Sequence, residues 1–155
     1  MRPVTETPTE RAHYALLSLT YAGLLATTAA SAKGKPLLEH GDLLPTSAAT
    51  FALTKLIVHE KVETWVRAPF VEETADGRRP KGEGLRYAMG ELLSCTRCIG
   101  AWSALGLVGL RLHAPHTGRF VTTVLAVSAG NDLFQSAFSY LCKADSKVEQ
   151  ALQAE

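Results

Sequence analysis

The segment GELLSCTRCIGAW, residues 90–102, places two thiols at C-x-x-C spacing where a helix begins. Cys95 and Cys98 therefore sit near the positive end of the helix dipole, which stabilises thiolate, and Arg97 between them adds to that field. A single C-x-x-C supports thiol–disulfide exchange, although the βαβ setting of thioredoxin-like sites is missing. It also supports half of a metal site, because zinc takes four ligands. Cys142 and His59 could complete such a set for zinc or iron if the topology brings them to the same face. The plain alternative is that the cysteines pack a helix junction as small apolar side chains.

Intramembrane charge is the second chemical feature. Lys55 and Asp132 each interrupt an otherwise apolar run about ten to twelve residues from its outer end. At 1.5 Å per residue both would lie roughly 15–18 Å deep, level enough to form an ion pair. An unpaired charge at that depth costs at least ~2.5–3.5 kcal/mol, so a structural pair is the first expectation and an ion or proton path the second. Small residues are the third feature: Gly100, Ala104, Gly106 and Gly109, then Ala126 and Gly130, allow close helix–helix approach. That approach could be intramolecular or could serve a homo-oligomer.

The elements that must carry these residues are read from where the charges fall. The chain has 155 residues, enough for one domain, with 46% apolar residues and a formal net charge of +1. Mean hydropathy is only +0.05, but the average conceals long stretches almost free of charge. A pI near 7.8 with no basic stripe argues against a nucleic-acid partner. Three cysteines, an odd count with one close pair, do not make a secreted disulfide framework. Neither G-x-S-x-G, a P-loop nor H-E-x-x-H occurs, and no internal repeat is visible.

Residues 14–32 contain no charge until Lys33 and are long enough to cross a hydrocarbon core of about 30 Å. They exceed the usual signal-peptide core, so they read as a retained anchor. Further helical runs follow at 46–66, 95–113 and 120–142. The predicted architecture is all-α: a small polytopic membrane helix bundle of three to four transmembrane helices, occupying 14–142. A mobile N-terminal arm spans 1–13, a charged cytoplasmic loop spans 67–90, and a polar, helical tail spans 143–155. With four crossings, ten Lys and Arg residues fall on the side of the termini and the central loop, against four on the other. That asymmetry places both termini in the cytoplasm and the protein, multi-pass, in the bacterial inner membrane. Trp65 and Trp102 are expected interfacial anchors. A soluble helical bundle with a very apolar first helix is the competing architecture.

Two stretches resemble a known family. LTKLIVHEKVETWVRAPF (53–70) and GELLSCTRCIGAW (90–102) are similar to short bacterial membrane proteins catalogued as domain of unknown function thirteen-sixty, with members in spore-forming and actinobacterial lineages. Lys55, Glu60, Arg67, Pro69, Phe70, Glu91, Cys95, Cys98, Gly100 and Trp102 occupy the places of the pattern, whereas His59 and Cys142 fall outside it. The resemblance implies an integral membrane protein and supplies no established activity. Together these features predict a structural or accessory subunit that acts through helix packing, within the lipid bilayer and with a membrane complex or a second copy as partner. A thiol-redox or metal-binding protein using the C-x-x-C at the cytoplasmic face is the alternative, and a small pore is a third class.

Overall fold

The computed structural model describes residues 4–35, 38–75 and 77–153. Among them the chain forms helices α1 (Arg11–Ser31), α2 (His40–His59), the single turn α3 (Thr64–Arg67), α4 (Gly84–Ser94), α5 (Thr96–His113) and α6 (Pro115–Gln153). Two short 3-10 turns and one two-stranded hairpin, β1 (Val71–Thr74) and β2 (Gly77–Pro80), complete the described elements. The helical class agrees with the sequence. Helices α1 and α2, of 21 and 20 residues, are each about 30 Å long.

Side-chain contacts fix the directions. Tyr21 stacks edge-on against Trp102 at 5.4 Å, and Ser31 Oγ lies 3.2 Å from His113 Nε2, so α1 and α5 run parallel. Arg111 pairs with Asp42 at 2.7 Å at one end, and His59 meets Thr96 at 3.2 Å at the other, so α2 and α5 are antiparallel. A turn at Ala114 sends α6 back alongside α2. There the chain is tight: a Cβ on Gly118 would come within 2.7 Å of the Arg111 backbone.

Several boundaries differ from expectation. Helix α2 starts at His40 and includes Pro45. Pro45 lies in the second turn, so the one hydrogen bond it forfeits, to the carbonyl of residue 41, falls near the helix start. The same helix stops at His59 instead of running on to residue 66. Residues 67–90 hold the hairpin and most of α4, not an open loop. Gly77, with φ at 124° where β2 begins, is the turn residue that the charge density of the segment obscured. The register runs from Val71↔Pro80 to Thr74↔Gly77. The tail is helical as expected, joined to α6 without a break as far as Gln153. Near the other terminus, Pro8 O accepts from Gly84 N at 3.0 Å and Thr9 Oγ1 donates to Gly84 O at 3.1 Å, so this stretch is moored to α4.

Helix α2 stops where it does because two arginines take its last carbonyls. Arg67, fully buried, donates from Nη1 to Ile57 O at 2.6 Å and from Nη2 to Glu60 O at 2.9 Å. Arg78 donates to Val58 O and, at 3.1 Å, to His59 O. Four consecutive carbonyls at the helix end are thus satisfied by guanidinium groups where no further helical N–H could reach them. Glu73 on β1 ties the two together, 2.9 Å from Arg67 Nη2 and 3.4 Å from Arg78 Nε. The apolar core of this end lies beneath, with Val58, Val71, Leu93 and Ile99 packed against Ile57, Phe70 and Leu92. Gly90 lets α4 press onto the hairpin: a Cβ there would lie 2.5 Å from Phe70 O and 2.8 Å from Pro80.

Replacing Arg67 with alanine leaves Ile57 O and Glu60 O unpaired in the interior, and is expected to cost on the order of 2–5 kcal/mol in equilibrium unfolding. Arg67→Lys should recover little of it, because one ammonium cannot span both carbonyls and Glu73. A lysine variant melting with the wild type would refute the bidentate cap. The hydrogen bond from Arg67, opposed by loss of water and reinforced by Arg78, holds the Glu73 carboxyl below the usual carboxylate range. Because the folded value is the lower one, this contribution is complete above the unfolded value of roughly 4.3 and disappears as pH falls through the folded value. Melting curves of Glu73→Gln should therefore lie below wild type at pH 7 and converge with it in acid; a gap independent of pH would contradict the assignment.

Candidate functional site

Helices α4 and α5 meet at an angle of 86°. Cys95 is the corner: extended backbone with ψ 104° ends α4 and serves as the N-cap of α5. Its sulfur accepts the N–H of Cys98 at 3.3 Å, one of the donors a helix start leaves unpaired. The C-x-x-C spacing puts Cys98 in the first turn directly above, and Cys95 and Cys98 are joined as a disulfide. The angle itself follows from Gly90, which seats α4 across the hairpin while α5 turns away into the helical bundle.

The disulfide lies half-buried on the wall of a groove of about 390 Å³ between α1, α4 and α5. Trp102 and Tyr21 form one end, with Leu17, Ala88 and Leu92 along the sides. The polar feature is Tyr14 Oη donating to Glu91 Oε2 at 2.5 Å. The volume falls within the range of roughly 300–1,000 Å³ seen for small-molecule sites. What the arrangement can do chemically is exchange: a disulfide attacked by an incoming thiolate, or a dithiol surrendering two electrons.

The four-ligand set is not assembled. His59 is exposed and turned to Thr96 Oγ1 at 3.2 Å. Cys142 is an exposed free thiol on α6. Since Lys55 on α2 is level with Asp132 on α6, His59 is level with Ser136, and Cys142 lies six residues, roughly 9 Å, farther along. Among the described residues no group of three or more His, Cys, Asp or Glu side chains is placed to hold a metal ion. Helix register keeps Cys142 apart from the other three residues: α6 overshoots the level of the Cys95–Cys98 pair.

Lys55 Nζ and Asp132 Oδ2 lie 2.9 Å apart, with Glu60 Oε1 at 3.3 Å from the same ammonium. Each of the three side chains retains about a third or more of its exposure, so this is a partly solvated cluster. Of the small residues singled out, Gly100 faces Thr54 and Gly109 faces Thr28 at ordinary contact distance, whereas Gly106 and Gly130 face open space. Ala104 lines the seam between α1 and α5, and Ala126 on α6 is half-buried. The tightest glycines, Gly90 and Gly118, were not among them; no helix-face periodicity marks a contact made to a hairpin or a turn.

Fold and site together define a small helical bundle with a disulfide at a helix corner, capped at one end by an arginine-clamped hairpin. The chain belongs to the family described as protein of unknown function (DUF1360), whose model matches residues 46–138, from early α2 through most of α6. It is also similar to sporulation protein YjcA of Bacillus subtilis (strain 168), 34% identical over 91 residues, which cover 53% of this chain and 77% of that protein. No solved structure matches. Helix α1, which supplies Tyr14 and Tyr21 to the groove, lies outside the family match.

In the ion-pair cluster, Lys55→Met removes the cation that Asp132 and Glu60 share and leaves the two carboxylates facing each other. A double-mutant cycle with Asp132→Leu is expected to show the double variant more stable than Lys55→Met alone, because both charges are then removed together. Strict additivity of the two losses would show the pair to be energetically idle.

Proposed function

We propose that this protein is a membrane-inserted helical bundle carrying a thiol–disulfide pair at the lipid–water boundary. The observation that carries the membrane reading is which side chains point inward. Between α2, α5 and α6 the buried residues are mostly small or hydroxylated: Thr46, Ala49, Ala52, Thr54, Ser103, Thr122 and Ala129. The large apolar side chains point outward, among them Leu19 at 70% exposure, Val127 at 69%, Leu133 at 70% and Phe134 at 76%. Helix α1 buries no residue at all. Small residues inside and bulky ones outside are the arrangement of helices packed in lipid, where burial of leucine gains nothing.

No single described helix is long and apolar enough by itself to cross a membrane; α4 and α5 pass such a test only together, bent at Cys95. Lys55, Asp132 and the many Thr and Ser residues lower the hydropathy of the helices. Their inward placement or pairing is what would make them tolerable in lipid. In this reading α1, α2, α5 and α6 stand upright, while α4 and the hairpin cover the cytoplasmic end with Trp65, 73% exposed, at the interface.

For activity, the corner disulfide favours the redox alternative over metal binding. An incoming dithiol would attack one sulfur of the pair, form a mixed disulfide, and release it by attack of its second thiol. The incoming partner leaves oxidised, and Cys95 and Cys98 remain as thiols carrying the two electrons. Involvement in sporulation rests on the name of the similar Bacillus subtilis protein. A structural or accessory subunit with the same topology is the second reading, favoured by the bare apolar faces of α1 and α6.

Alkaline extraction of membranes from expressing cells, followed by maleimide labelling before and after reduction, tests both parts. The protein should stay in the pellet, and Cys95 and Cys98 should label only after reduction while Cys142 labels at once. Release into the supernatant, with a monodisperse species in plain buffer, would end the membrane proposal. Thiols at Cys95 and Cys98 that label equally under all conditions would leave the accessory-subunit reading.

A further inference from the structure

Electrons gathered by the cysteine pair need somewhere to go, and the groove beside it has the composition of a site for their acceptor. Its walls are largely apolar, so a hydrophilic thiol such as a glutathione-like peptide would find one charged group, Glu91, which is already bonded to Tyr14, and no cation for its carboxylates. Apart from the Tyr14–Glu91 pair, its polar groups are Ser18, Tyr21 and Trp102, each able to donate a hydrogen bond. A ligand with flat apolar rings and acceptor oxygens at its edge complements that set. A second depression adjoins the groove. From Tyr21 this depression of about 330 Å³ follows the α1–α5 seam past Leu25, Ala104 and Val108 towards Leu112. The two depressions adjoin at Tyr21, which lines both, so the disulfide groove has an apolar neighbour along the same helix pair.

Resting on the redox reading above, we infer that this groove binds an isoprenoid quinone, with its ring beside Cys95–Cys98 and its tail along the α1–α5 seam. The step balances within the pair and the ligand. Cys95 and Cys98 as thiols lose two protons and two electrons as the S–S bond forms. The quinone ring takes the two electrons, and each carbonyl oxygen gains one proton, giving the quinol. The Tyr14–Glu91 pair at the rim, joined at 2.5 Å, exchanges those protons with water at the bundle end. Loose packing of α1, with no residue buried, leaves the seam open sideways for a lipid-soluble ligand to enter.

The test uses the full chain in detergent, reduced and freed of reductant without oxygen, then mixed with a short-chain ubiquinone analogue whose ring is fully substituted and cannot alkylate thiols. Each protein is expected to convert one quinone to quinol, read by ultraviolet absorbance, as two maleimide-reactive thiols disappear. Ala101→Trp, which fills the groove beside the pair, should slow that reaction by about tenfold or more. Oxidation of the same variant by a small soluble disulfide should keep its wild-type rate, which also shows that the variant is folded. A pair that cycles with the small disulfide but reduces quinone no faster than Ala101→Trp overturns this inference alone. A pair that no reductant opens, or that never reforms, overturns the redox reading along with it.

Discussion

The C-terminus of α2 is the constraint around which the rest of the molecule is arranged. A helix that ends inside a protein exposes four carbonyls, each costly to leave unpaired. Here Arg67 and Arg78 reach back to the carbonyls of Ile57 through Glu60, and Glu73 neutralises and aligns them. Holding two guanidinium groups at that point demands a chain reversal within a few residues, which the hairpin supplies. The hairpin then offers Phe70 and Pro80 as the floor on which Gly90 seats α4. From the tilt of α4 follows the sharp corner at Cys95, and from the corner the exposure of the disulfide to the groove.

Much of this was legible in the order of residues. The four long helices, the matched level of Lys55 and Asp132, and the placement of C-x-x-C at a helix start all follow from periodicity and spacing. The family resemblance rested on Lys55, Arg67 and the cysteine block, all within the matched residues 46–138. Arg67 shows what could not be read. In sequence it is one more cation in a basic segment, counted towards topology; in the fold it has no exposed surface. Its role depends on carbonyls seven to ten residues upstream, and no local pattern encodes that distance. Cys142 failed in the opposite way: the proposed clustering needed α6 to end level with α2, but nothing in the sequence stops α6 there.

The groove was equally hidden. Tyr14, Tyr21, Glu91 and Trp102 come from three helices, and each is unremarkable alone. Only the parallel course of α1 and α5, with α4 folded across their ends, brings two phenols, an indole and a carboxylate to the cysteine pair. Small residues misled for a related reason. Gly106 and Gly130 have the spacing of a helix contact and face empty space, whereas Gly90 and Gly118 meet backbone and proline ring at distances that admit no methyl group.

The parallel pairing of α1 with α5 and of α2 with α6 makes the chain two helical hairpins laid side by side in the same sense, joined by the arginine-clamped segment. Each half leaves from and returns to the same end of the bundle. In a lipid setting such halves can be threaded in one after the other as closed loops. The polar joint between them, with its buried guanidinium, would then never be hauled through hydrocarbon while the protein is being built.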